Sequence, residues 1–300
     1  MRVLVTGAAG FVGRHLVDAL VAAGHEVLPL VRPGRSPTWR VEVAPLELDL
    51  ASPALAAGLP EGVDALVHLA QSGRYREPDG ADDVFAVNVA STHRLAAWAG
   101  GVGVRRLVLT STGGVYGPGA LAAREEDPAG VEATGPGPLA LYFASKRAAE
   151  ELALAAGPDV HVAVLRPFFV YGRGQLPSML VPRLVRRVLS GAPITLAGPE
   201  GLALNPVHVS DLVRALDGAL ALDGAHVVNV AGPEVLTLRA VGEAIGGALG
   251  RPPRFEVGPG TGADRLVGDT TRMAALLGPP GVRFSDGVRE VCEEALVEAG

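Results

Sequence analysis

The sequence has very little cysteine and no run of basic residues. Its one cysteine, Cys292, cannot form an internal disulfide and has no metal-ligand neighbours. We therefore expect an inert residue on a helix face, no metal site and a reducing, cytoplasmic environment. The formal net charge of −6 is spread along the chain. This pattern argues against a nucleic-acid partner and a polybasic membrane anchor, so a small-molecule substrate is favoured by elimination.

Long apolar stretches are also missing. No uninterrupted apolar run is long enough to cross a bilayer, so no association with a membrane is expected. The N-terminal stretch MRVLVTGAAGFVGRHLVDALVAAG is apolar, but glycines recur in it at three-residue intervals and His15 and Asp18 interrupt it. A signal peptide needs an unbroken apolar region and a small-residue cleavage site. This stretch is therefore expected to belong to the fold.

Short apolar runs alternate with helical patterns along the chain. The runs cover residues 2–7, 25–32, 64–70, 105–112, 161–168 and 226–232, and the helical patterns lie at 12–23, 52–58, 82–99, 142–156 and 209–221. Alternation of this kind is typical of a parallel sheet covered by helices on both faces. It predicts an α/β fold with a doubly wound parallel sheet, the Rossmann fold.

The alternation loosens after about residue 170. Further helical patterns at 177–191, 236–250 and 270–278 are separated by turns rich in proline and glycine. We expect a main domain over residues 1–170 and a smaller α/β C-terminal lobe over 171–300. A segment of the lobe, about 206–232, is expected to return to the main sheet.

A glycine-rich turn joins the first strand to the first helix. In VLVTGAAGFVGRHL, Gly7 permits a tight turn, Gly10 lets the backbone approach a pyrophosphate, and Gly13 lets helix and strand pack closely. The free N–H groups at the start of the helix can then bind phosphates. Because this turn lies at the first βα junction of a β/α chain, it predicts dinucleotide binding by residues 1–170.

The end of the second strand indicates which dinucleotide is bound. An acidic residue there accepts the adenosine ribose hydroxyls, whereas an arginine accommodates a 2′-phosphate. The strand ends in LPLVRPGR, with Val31 and Arg32 in place of an acid and Arg35 close behind. This favours NADP, with NAD as the alternative if the arginines are solvated loop residues. Asp49 ends the third strand, where it could cap the next helix or accept a hydrogen bond from adenine.

A tyrosine and a lysine lie four residues apart in LALYFASKRAAEE. Tyr142 and Lys146 therefore share one helix face and can both reach a single cleft. A nearby ammonium and an oxidised nicotinamide both favour the phenolate, which would lower the tyrosine pKa toward the working range. Ser111 and Thr112 end the preceding strand, and one of them can hydrogen-bond a substrate oxygen while Tyr142 transfers its proton.

These motifs together resemble the extended short-chain dehydrogenase/reductase family, the NAD(P)-dependent epimerase/dehydratase group. The TGxxGxxG loop, the Tyr142 and Lys146 pair, the strand end VHLA and Asn88 in VNVAST all match its pattern. Segments 165–175, 206–216 and 229–245 continue the match, which covers essentially the whole chain. The resemblance implies Tyr142 as general acid/base, Lys146 as the residue that binds the nicotinamide ribose and lowers the tyrosine pKa, and Thr112 as the hydroxyl that orients the substrate.

The resemblance also implies a set of cofactor contacts and a homodimer. The expected contacts are Gly7, Gly10, Phe11, Val12, Gly13, Arg32, Arg35, Asp49, Leu50, Leu69, Ala70, Gln71, Asn88, Tyr142, Lys146, Pro167 and Val170. The dimer is expected to pair through the helices at 82–99 and 142–156.

The sequence departs from the family pattern at three places. Sugar-nucleotide 4,6-dehydratases have an Asp-Glu pair where this chain has Gly113 and Gly114, which disfavours elimination of water. Many sugar-nucleotide epimerases have an asparagine where this chain has Phe169 and a diphosphate-binding arginine where it has Leu204. A substrate diphosphate would then need other cations, for which Arg173, Arg183 and Arg265 are the candidates, unless they are ordinary surface charges.

We therefore predict an NADP(H)-preferring oxidoreductase that moves a hydride between nicotinamide and a secondary alcohol or ketone. A nucleotide sugar is the favoured substrate, for a 4-ketoreductase or an epimerase. The alternative is an NADPH-dependent carbonyl reductase on a non-sugar substrate, resembling the dihydroflavonol-reductase branch. A cofactor-binding regulator without catalysis is disfavoured, because a retired site has no chemical reason to keep Thr112, Tyr142 and Lys146.

Overall fold

The computed structural model describes residues 1–36, 38–119, 121–130, 135–260 and 264–299. The chain forms two compact units. Unit 1 comprises Met1–Gly117, Ala129–Arg166 and Val213–Val228, and unit 2 comprises Pro118–Pro128, Pro167–Leu212 and Asn229–Gly300. The division into a cofactor-binding domain and a substrate-binding lobe at residue 170 stays a prediction.

The strands are short, and those at the centre of the main sheet are mostly buried. They are β1 Arg2–Thr6, β2 Glu26–Val31, β3 Leu46–Glu47, β4 Ala65–His68, β5 Arg106–Thr110, β6 His161–Pro167, β7 Ile194–Ala197, β8 Ala203–Leu204, β9 Ala225–Val230, β10 Leu236–Thr237, β11 Phe255–Gly258 and β12 Arg265–Leu266. These central strands are β1, β4, β5 and β6, and all four residues of β4 are buried. Strands covered on both faces need apolar side chains at every position, which explains why the sequence shows continuous apolar runs and no alternation.

The main sheet has seven strands in the order β3-β2-β1-β4-β5-β6-β9. The pairings from β3 across to β6 are all parallel. The chain winds outward from β1 to β2 and β3 and then returns to β4 on the other side of β1, so the winding reverses between β1 and β4. In sheets of this type, ligands bind at the carboxyl ends of the strands at this reversal. The predicted doubly wound α/β fold is confirmed.

Helices connect the strands. They are α1 Phe11–Ala22, α2 Ala81–Val84, α3 Ser91–Val102, α4 Pro138–Leu154, α5 Leu180–Ser190, α6 Val209–Ala219, α7 Leu238–Leu249, α8 Thr271–Leu277 and α9 Phe284–Ala299. A π-helical segment, Phe85–Ala90, lies between α2 and α3. Short 3₁₀ turns occur at Leu55–Gly58 and Gly113–Tyr116.

The helix predicted over residues 52–58 is wrong. This segment forms only the 3₁₀ turn Leu55–Gly58. Pro53 and Pro60 bracket it, and so short a segment can make few of the i to i−4 hydrogen bonds that repay the cost of starting an α-helix. Leu55 is nevertheless buried, whereas Ala54, Ala56 and Ala57 are exposed, so only one apolar position of the segment reflects packing.

Each unit has its own hydrophobic core. In unit 1, side chains such as Leu4 of β1, Leu66 of β4 and Leu107 of β5 pack with Leu95 of α3. The core of unit 2 gathers side chains of α5, α7 and α9 around Tyr171. Unit 2 also holds a three-stranded sheet in the order β10-β8-β12 and the pair β11-β7.

Cys292 lies on α9 within the core of unit 2 and is buried. Burial, with a smaller contribution from Glu293, raises the pKa of its thiol to about 11, so little reactive thiolate forms at neutral pH. Among the described helices, none combines the length and the apolar character that a membrane span requires. The cytoplasmic location stays a prediction.

Candidate active site

The glycine-rich turn brings β1, β4 and α1 into close contact. Gly7 has φ +69°, in the left-handed region that glycine adopts at little cost. A Cβ added at Gly7 would lie 2.8 Å from the Ala70 nitrogen, and one added at Gly13 would lie 2.2 Å from the Gly7 oxygen. No larger residue fits either place without moving backbone. The turn therefore forms the narrow cradle that a dinucleotide pyrophosphate requires.

The start of α1 is open to an anion. Gly10 occupies its N-cap without a side-chain hydrogen bond, and no acidic residue lies in the first turn. The N–H groups of Phe11, Val12 and Gly13 have no acceptor within the helix, because the first bond of α1 runs from Arg14 to Gly10. Helix N-termini of this kind bind phosphate well. The predicted phosphate-binding residues thus come together in a geometry that fits a dinucleotide.

The end of β2 has cations and no acid. Arg32 and Arg35 follow Val31 and are exposed, and within the described ranges neither forms an ion pair. Asp49 was expected to end the third strand, which is wrong, because β3 ends at Glu47. Asp49 lies in the turn beyond it and accepts a hydrogen bond from the Ala51 nitrogen at 3.0 Å. The hydrogen bond within the turn explains an aspartate at this position without any ligand. Contacts of Asp49 and Leu50 with adenine stay predictions.

A buried histidine ties the carboxyl ends of β1 and β4 together. His68 Nδ1 lies 2.6 Å from the Thr6 hydroxyl and its Nε2 lies 3.0 Å from the Thr92 hydroxyl on α3. Burial, aided by the positive charge of Lys146, lowers the pKa of His68 to about 3, so the ring is neutral. The next residues, Leu69, Ala70 and Gln71, are thereby held at the edge of the sheet where the cradle opens.

The three predicted catalytic residues lie at this same edge. Tyr142 and Lys146 lie on α4, both buried, and the Lys146 Nζ is 6.0 Å from the centre of the Tyr142 ring. The ammonium donates to the Thr110 carbonyl at 2.9 Å, and the Tyr142 hydroxyl donates to Gln71 Oε1 at 2.8 Å. The Thr112 hydroxyl accepts from the Gly114 nitrogen at 3.1 Å. Its own proton therefore remains to donate to a substrate oxygen.

Ser111 is excluded from that role by its own hydrogen bond. Its hydroxyl donates to the buried carboxylate of Glu150 at 2.5 Å. Of the two hydroxyls that the sequence left as alternatives, Thr112 is the one whose proton is left to a ligand. Gly114 packs against Phe143, and a Cβ added there would lie 2.2 Å from that ring. A side chain at Gly114 would require the Phe143 ring to move, and the expectation against dehydration stays a prediction.

Asn88 braces the loop after β4 against α4. It lies in the π-helical segment, whose extra residue per turn is often found at functional sites. Its Oδ1 accepts from the Ser72 nitrogen at 2.8 Å, and its Nδ2 donates to the Ser145 hydroxyl at 2.9 Å. Ser145 lies between Tyr142 and Lys146 on α4. These two hydrogen bonds give Asn88 a structural role, and its contact with the cofactor stays a prediction.

The pKa of Tyr142 differs from the expectation. Burial raises it above its ordinary value, and the neighbouring Tyr75 raises it further, while Arg76 acts in the opposite direction. The Tyr75 ring lies 4.6 Å from the Tyr142 ring. Desolvation of the phenolate therefore outweighs the nearby cations in the chain by itself. Tyr142 is held as a neutral phenol, the form that can donate a proton.

Lys146 is the only lysine of the chain, which makes its protonation directly measurable. Burial lowers the pKa of Lys146 from 10.5 to about 8, although Glu150 acts to raise it. The side chain is charged below about pH 8 and loses its proton above it. We expect the single side-chain signal of protein labelled with ¹³C-lysine to titrate near pH 8 by NMR.

The same signal gives its own control. In urea-unfolded protein it should titrate near 10.5, the ordinary value for lysine. A folded-state titration that coincides with the unfolded one would contradict the burial of Lys146 beside Tyr142.

Several candidate residues belong to unit 2. Pro167 ends β6, and the Val170 carbonyl accepts from Gln175; their contacts with a cofactor stay predictions. Phe169 has φ +44°, a left-handed conformation that asparagine tolerates better than phenylalanine. Leu204 is fully buried in the core of unit 2. Neither Phe169 nor Leu204 supplies a charge to a substrate diphosphate.

The three candidate arginines differ in their surroundings. Arg173 and Arg183 are exposed. Arg265 is half-buried on β12, and its Nε is buried without a hydrogen-bond partner among the described residues. A buried guanidinium nitrogen with no acceptor is costly, and of the three candidates only Arg265 has one among the described residues. Over the described parts of the chain, no three metal-binding side chains lie together.

Comparison with known proteins agrees with this geometry. The sequence profile of the NAD dependent epimerase/dehydratase family matches residues 3–231. The dTDP-4-dehydro-6-deoxy-D-allose reductase of Streptomyces bikiniensis is 30% identical, over 92% of this chain and 90% of its own. The UDP-glucose 4-epimerase of Mycolicibacterium smegmatis is 33% identical, over 98% of both chains.

A solved structure extends the comparison to the fold. MoeE5 in complex with UDP-glucuronic acid and NAD has a TM-score of 0.83 and 30% identity, over 99% of this chain and 100% of its own. The similarity in sequence and in fold thus extends over nearly the whole chain, and the cradle of Gly7, Gly10 and Gly13 agrees with both. The chain belongs to the NAD dependent epimerase/dehydratase family, within the extended short-chain dehydrogenase/reductases, and is an enzyme that uses a nicotinamide cofactor.

Proposed function

We propose that the protein moves a hydride at C4 of a nucleotide sugar, as an epimerase or as a 4-ketoreductase. The observation that carries this proposal is the meeting of Tyr142, Lys146 and Thr112 beside the glycine cradle at one edge of the sheet. Relatives over nearly the whole chain are named for such reactions on UDP- and dTDP-sugars, which supports the substrate class.

The chemistry divides between cofactor and chain. The nicotinamide supplies or accepts the hydride, and the chain's own residues handle the proton. The neutral Tyr142 donates its hydroxyl proton to a ketone oxygen, or receives one from an alcohol, and Thr112 donates a hydrogen bond that fixes that oxygen. The ammonium of Lys146 favours the phenolate that proton donation leaves behind. When no substrate is bound, the Tyr142 hydroxyl donates its proton to Gln71 Oε1. A substrate oxygen must therefore displace the Gln71 amide to accept that hydrogen bond.

Arg265 is the proposed contact for a substrate phosphate. Leu204 cannot compensate phosphate charge, whereas the Arg265 guanidinium has a buried nitrogen without an acceptor in the described residues. An arginine binds phosphate through paired N–H groups. This assignment makes a nucleotide sugar, and not a free sugar, the expected substrate.

The function is tested with three substrates: UDP-glucose, UDP-glucuronic acid and dTDP-4-dehydro-6-deoxy-D-allose, each with NAD or NADPH, and products identified by NMR. Inversion at C4 without net cofactor use identifies an epimerase, and consumption of one NADPH per turnover identifies a reductase. For whichever is turned over, Arg265→Met should raise KM. Turnover of simple ketones alone, with none of these sugars, would favour the non-sugar carbonyl reductase and overturn the proposal.

We also propose that NADP is the preferred cofactor. Arg32 and Arg35 follow β2 where an acid would bind the ribose hydroxyls, and both are exposed. A charge-assisted hydrogen bond to the 2′-phosphate contributes about 1.5–3 kcal/mol. We therefore expect Arg32→Ala to weaken NADPH binding by about 10- to 100-fold and to leave NADH binding unchanged, as measured by fluorescence titration.

The control for this prediction removes the same charge elsewhere. Arg289 is an exposed arginine on α9, and Arg289→Ala should leave the dissociation constants of both cofactors unchanged. Equal affinity for NADPH and NADH in the wild type, unaffected by Arg32→Ala, would contradict the assignment and return NAD as the cofactor.

A homodimer is a further proposal. Phe85, in the 82–99 helix that was expected to pair, is a large exposed apolar side chain. Leu139 and Leu141 are also exposed and lie on α4, just before the 142–156 stretch that was expected to pair. Light scattering of the purified protein tests it, since a monomer at micromolar concentration would overturn the proposal.

A further inference from the structure

A cluster of charged side chains lies next to the proposed catalytic residues and takes no part in the proposed proton transfer. Its centre is Glu150, whose side chain has no exposed surface. The carboxylate accepts from Arg166 Nε at 2.9 Å and Nη2 at 2.6 Å, from Arg147 Nη1 at 2.8 Å, and from the Ser111 hydroxyl at 2.5 Å. The side chain of Arg166 is only 3% exposed. The charges of Glu150 and Arg166 are therefore both buried, and each is compensated by the other and by hydrogen bonds.

The cluster joins the elements that carry the reacting groups. Glu150 lies on α4, Ser111 follows β5, and Arg166 lies on β6. Arg166 also donates from Nη1 to the Tyr116 hydroxyl at 2.6 Å, which reaches the 3₁₀ turn that begins after Thr112. Buried ion pairs are weak evidence for stability, since apolar residues often replace them without loss. The burial of the Glu150–Arg166 ion pair therefore points to a second role, which depends on the groups that the pair positions.

What it holds is the reaction centre. Ser111 directly precedes Thr112, and along α4 Lys146 and Tyr142 lie four and eight residues before Glu150. Residues at that spacing share a helix face. The carboxylate thus accepts a hydrogen bond from the residue next to Thr112. It also lies on the helix face that carries Tyr142 and Lys146.

We propose that Glu150 is a positioning residue for the reaction: its buried carboxylate fixes Ser111 beside Thr112 and places a negative charge one helical turn from Lys146. This inference rests on the proposed roles of Thr112, Tyr142 and Lys146. Arg166 neutralises and orients the carboxylate, so Glu150 acts through its neighbours and does not touch substrate.

The charges around the carboxylate define what it does to Lys146. Burial disfavours ionised Glu150, but the hydrogen bonds and charge of Arg166, with the hydrogen bonds of Ser111 and Arg147, outweigh burial and hold the pKa of Glu150 below its ordinary value. Ionised Glu150 in turn raises the pKa of Lys146 against burial. The groups that face the cluster are Arg147 and Lys146 on α4, Arg166 on β6 and Tyr116 in the turn, while His68 on β4 faces Lys146 and is neutral.

The first test is Glu150→Gln, which keeps the shape and removes the charge. The single ¹³C-lysine signal reads Lys146 without any substrate, so this arm is independent of whether the proposed function is right. We expect the Lys146 titration to move to lower pH by about one unit, because both the lost carboxylate and the unpaired Arg166 disfavour an ammonium. Glu150→Asp keeps the charge, so its Lys146 titration should lie close to that of the wild type.

The matched control is Glu151→Gln. Glu151 is the next residue, is exposed and pairs with Arg147 at 2.7 Å, so it loses the same charge on the same helix without facing Ser111 or Arg166. Its Lys146 titration and its catalytic constants should equal those of the wild type. A shift in Glu151→Gln as large as that in Glu150→Gln would overturn the proposal, because a general change of charge would then explain it.

The second test separates position from charge. Ser111→Ala removes the tie to β5 and leaves the ion pair intact, so it also serves if Glu150→Gln does not fold. We expect kcat with the nucleotide sugar that is turned over to fall about tenfold at an unchanged NADPH dissociation constant and an unchanged Lys146 titration. Wild-type kcat in Ser111→Ala, or a folded Glu150→Gln with lower melting temperature but wild-type Lys146 titration, would show that the cluster only stabilises the fold.

Discussion

A Tyr142→Phe variant is expected to lose about 10²- to 10⁴-fold in kcat and to keep its cofactor affinity. The change removes one oxygen, the donor that now bonds Gln71 Oε1 at 2.8 Å. The phenyl ring still packs on Tyr75, so the site should keep its shape. Steady-state kinetics with the nucleotide sugar that is turned over, together with NADPH titration, measures both quantities.

Tyr171→Phe is the matched control for that prediction. Tyr171 is fully buried in unit 2, and its hydroxyl has no hydrogen-bond partner among the described residues. Removing this hydroxyl repeats the chemical change in the core of unit 2 and should leave kcat unchanged. If Tyr142→Phe also kept its activity to within threefold, on the order of one weak hydrogen bond, Tyr142 would not be the general acid and base.

Gly13→Ala is expected to have the next largest effect, on cofactor binding. The new Cβ would lie 2.2 Å from the Gly7 oxygen and 2.6 Å from the Ala8 oxygen, so α1 must move away from the cradle. Overpacking of this kind costs about 1–3 kcal/mol, and the displaced N–H groups of Phe11 and Val12 no longer meet the phosphates. We expect the NADPH dissociation constant to rise at least about tenfold and the melting temperature to fall, by titration and calorimetry.

Gly101→Ala makes the same substitution where there is room. Gly101 also lies in a helix, α3, and nothing stands within 4 Å of the position of its added Cβ. Replacing a helical glycine with alanine stabilises by about 0.5–1 kcal/mol, so this variant should bind NADPH normally and melt slightly higher. NADPH affinity in Gly13→Ala equal to that of Gly101→Ala would contradict the cradle.

The fold was predictable because its strands are buried on both faces. Runs such as RVLV carry apolar residues at consecutive positions, so β1 and β5 were located within about two residues. The prediction for the segment 52–58 failed because its helix-like pattern consists of exposed alanines around one buried residue, Leu55, in a 3₁₀ turn. Asp49 failed for a related reason, since its hydrogen bond to Ala51 is turn chemistry that resembles a strand end followed by a cap.

The candidate site was predictable where its residues are close in the sequence. Tyr142 and Lys146 share a helix face at a spacing that the sequence displays. Glu150 and Arg166 were missed, because their partnership depends on how α4 packs on the sheet, and no local pattern records it. The same limit left Ser111 and Thr112 as alternatives until the hydrogen bond of Ser111 to Glu150 was known.

One signal in the sequence could have shown more. Every basic side chain other than histidine is an arginine except Lys146. Arginine stays charged at all working pH values, whereas lysine can lose its proton when buried. A lone lysine in such a chain indicates a position where titration or a compact ammonium matters. The raised pKa of Tyr142 could not have been foreseen, since it depends on burial and on the contact with Tyr75.

The most direct test of the central claim follows a deuterium atom. UDP-glucose and UDP-glucuronic acid, each deuterated at C4 of the sugar, are incubated with excess protein and oxidised cofactor, quenched, and the nicotinamide is analysed by mass spectrometry. Hydride transfer at C4 with proton transfer by Tyr142 predicts deuterium on the nicotinamide ring with the wild type and none with Tyr142→Phe. Net oxidation of either sugar by the wild type without deuterium on the nicotinamide, inversion at C4 with loss of the deuterium to solvent, or equal labelling by Tyr142→Phe would contradict it.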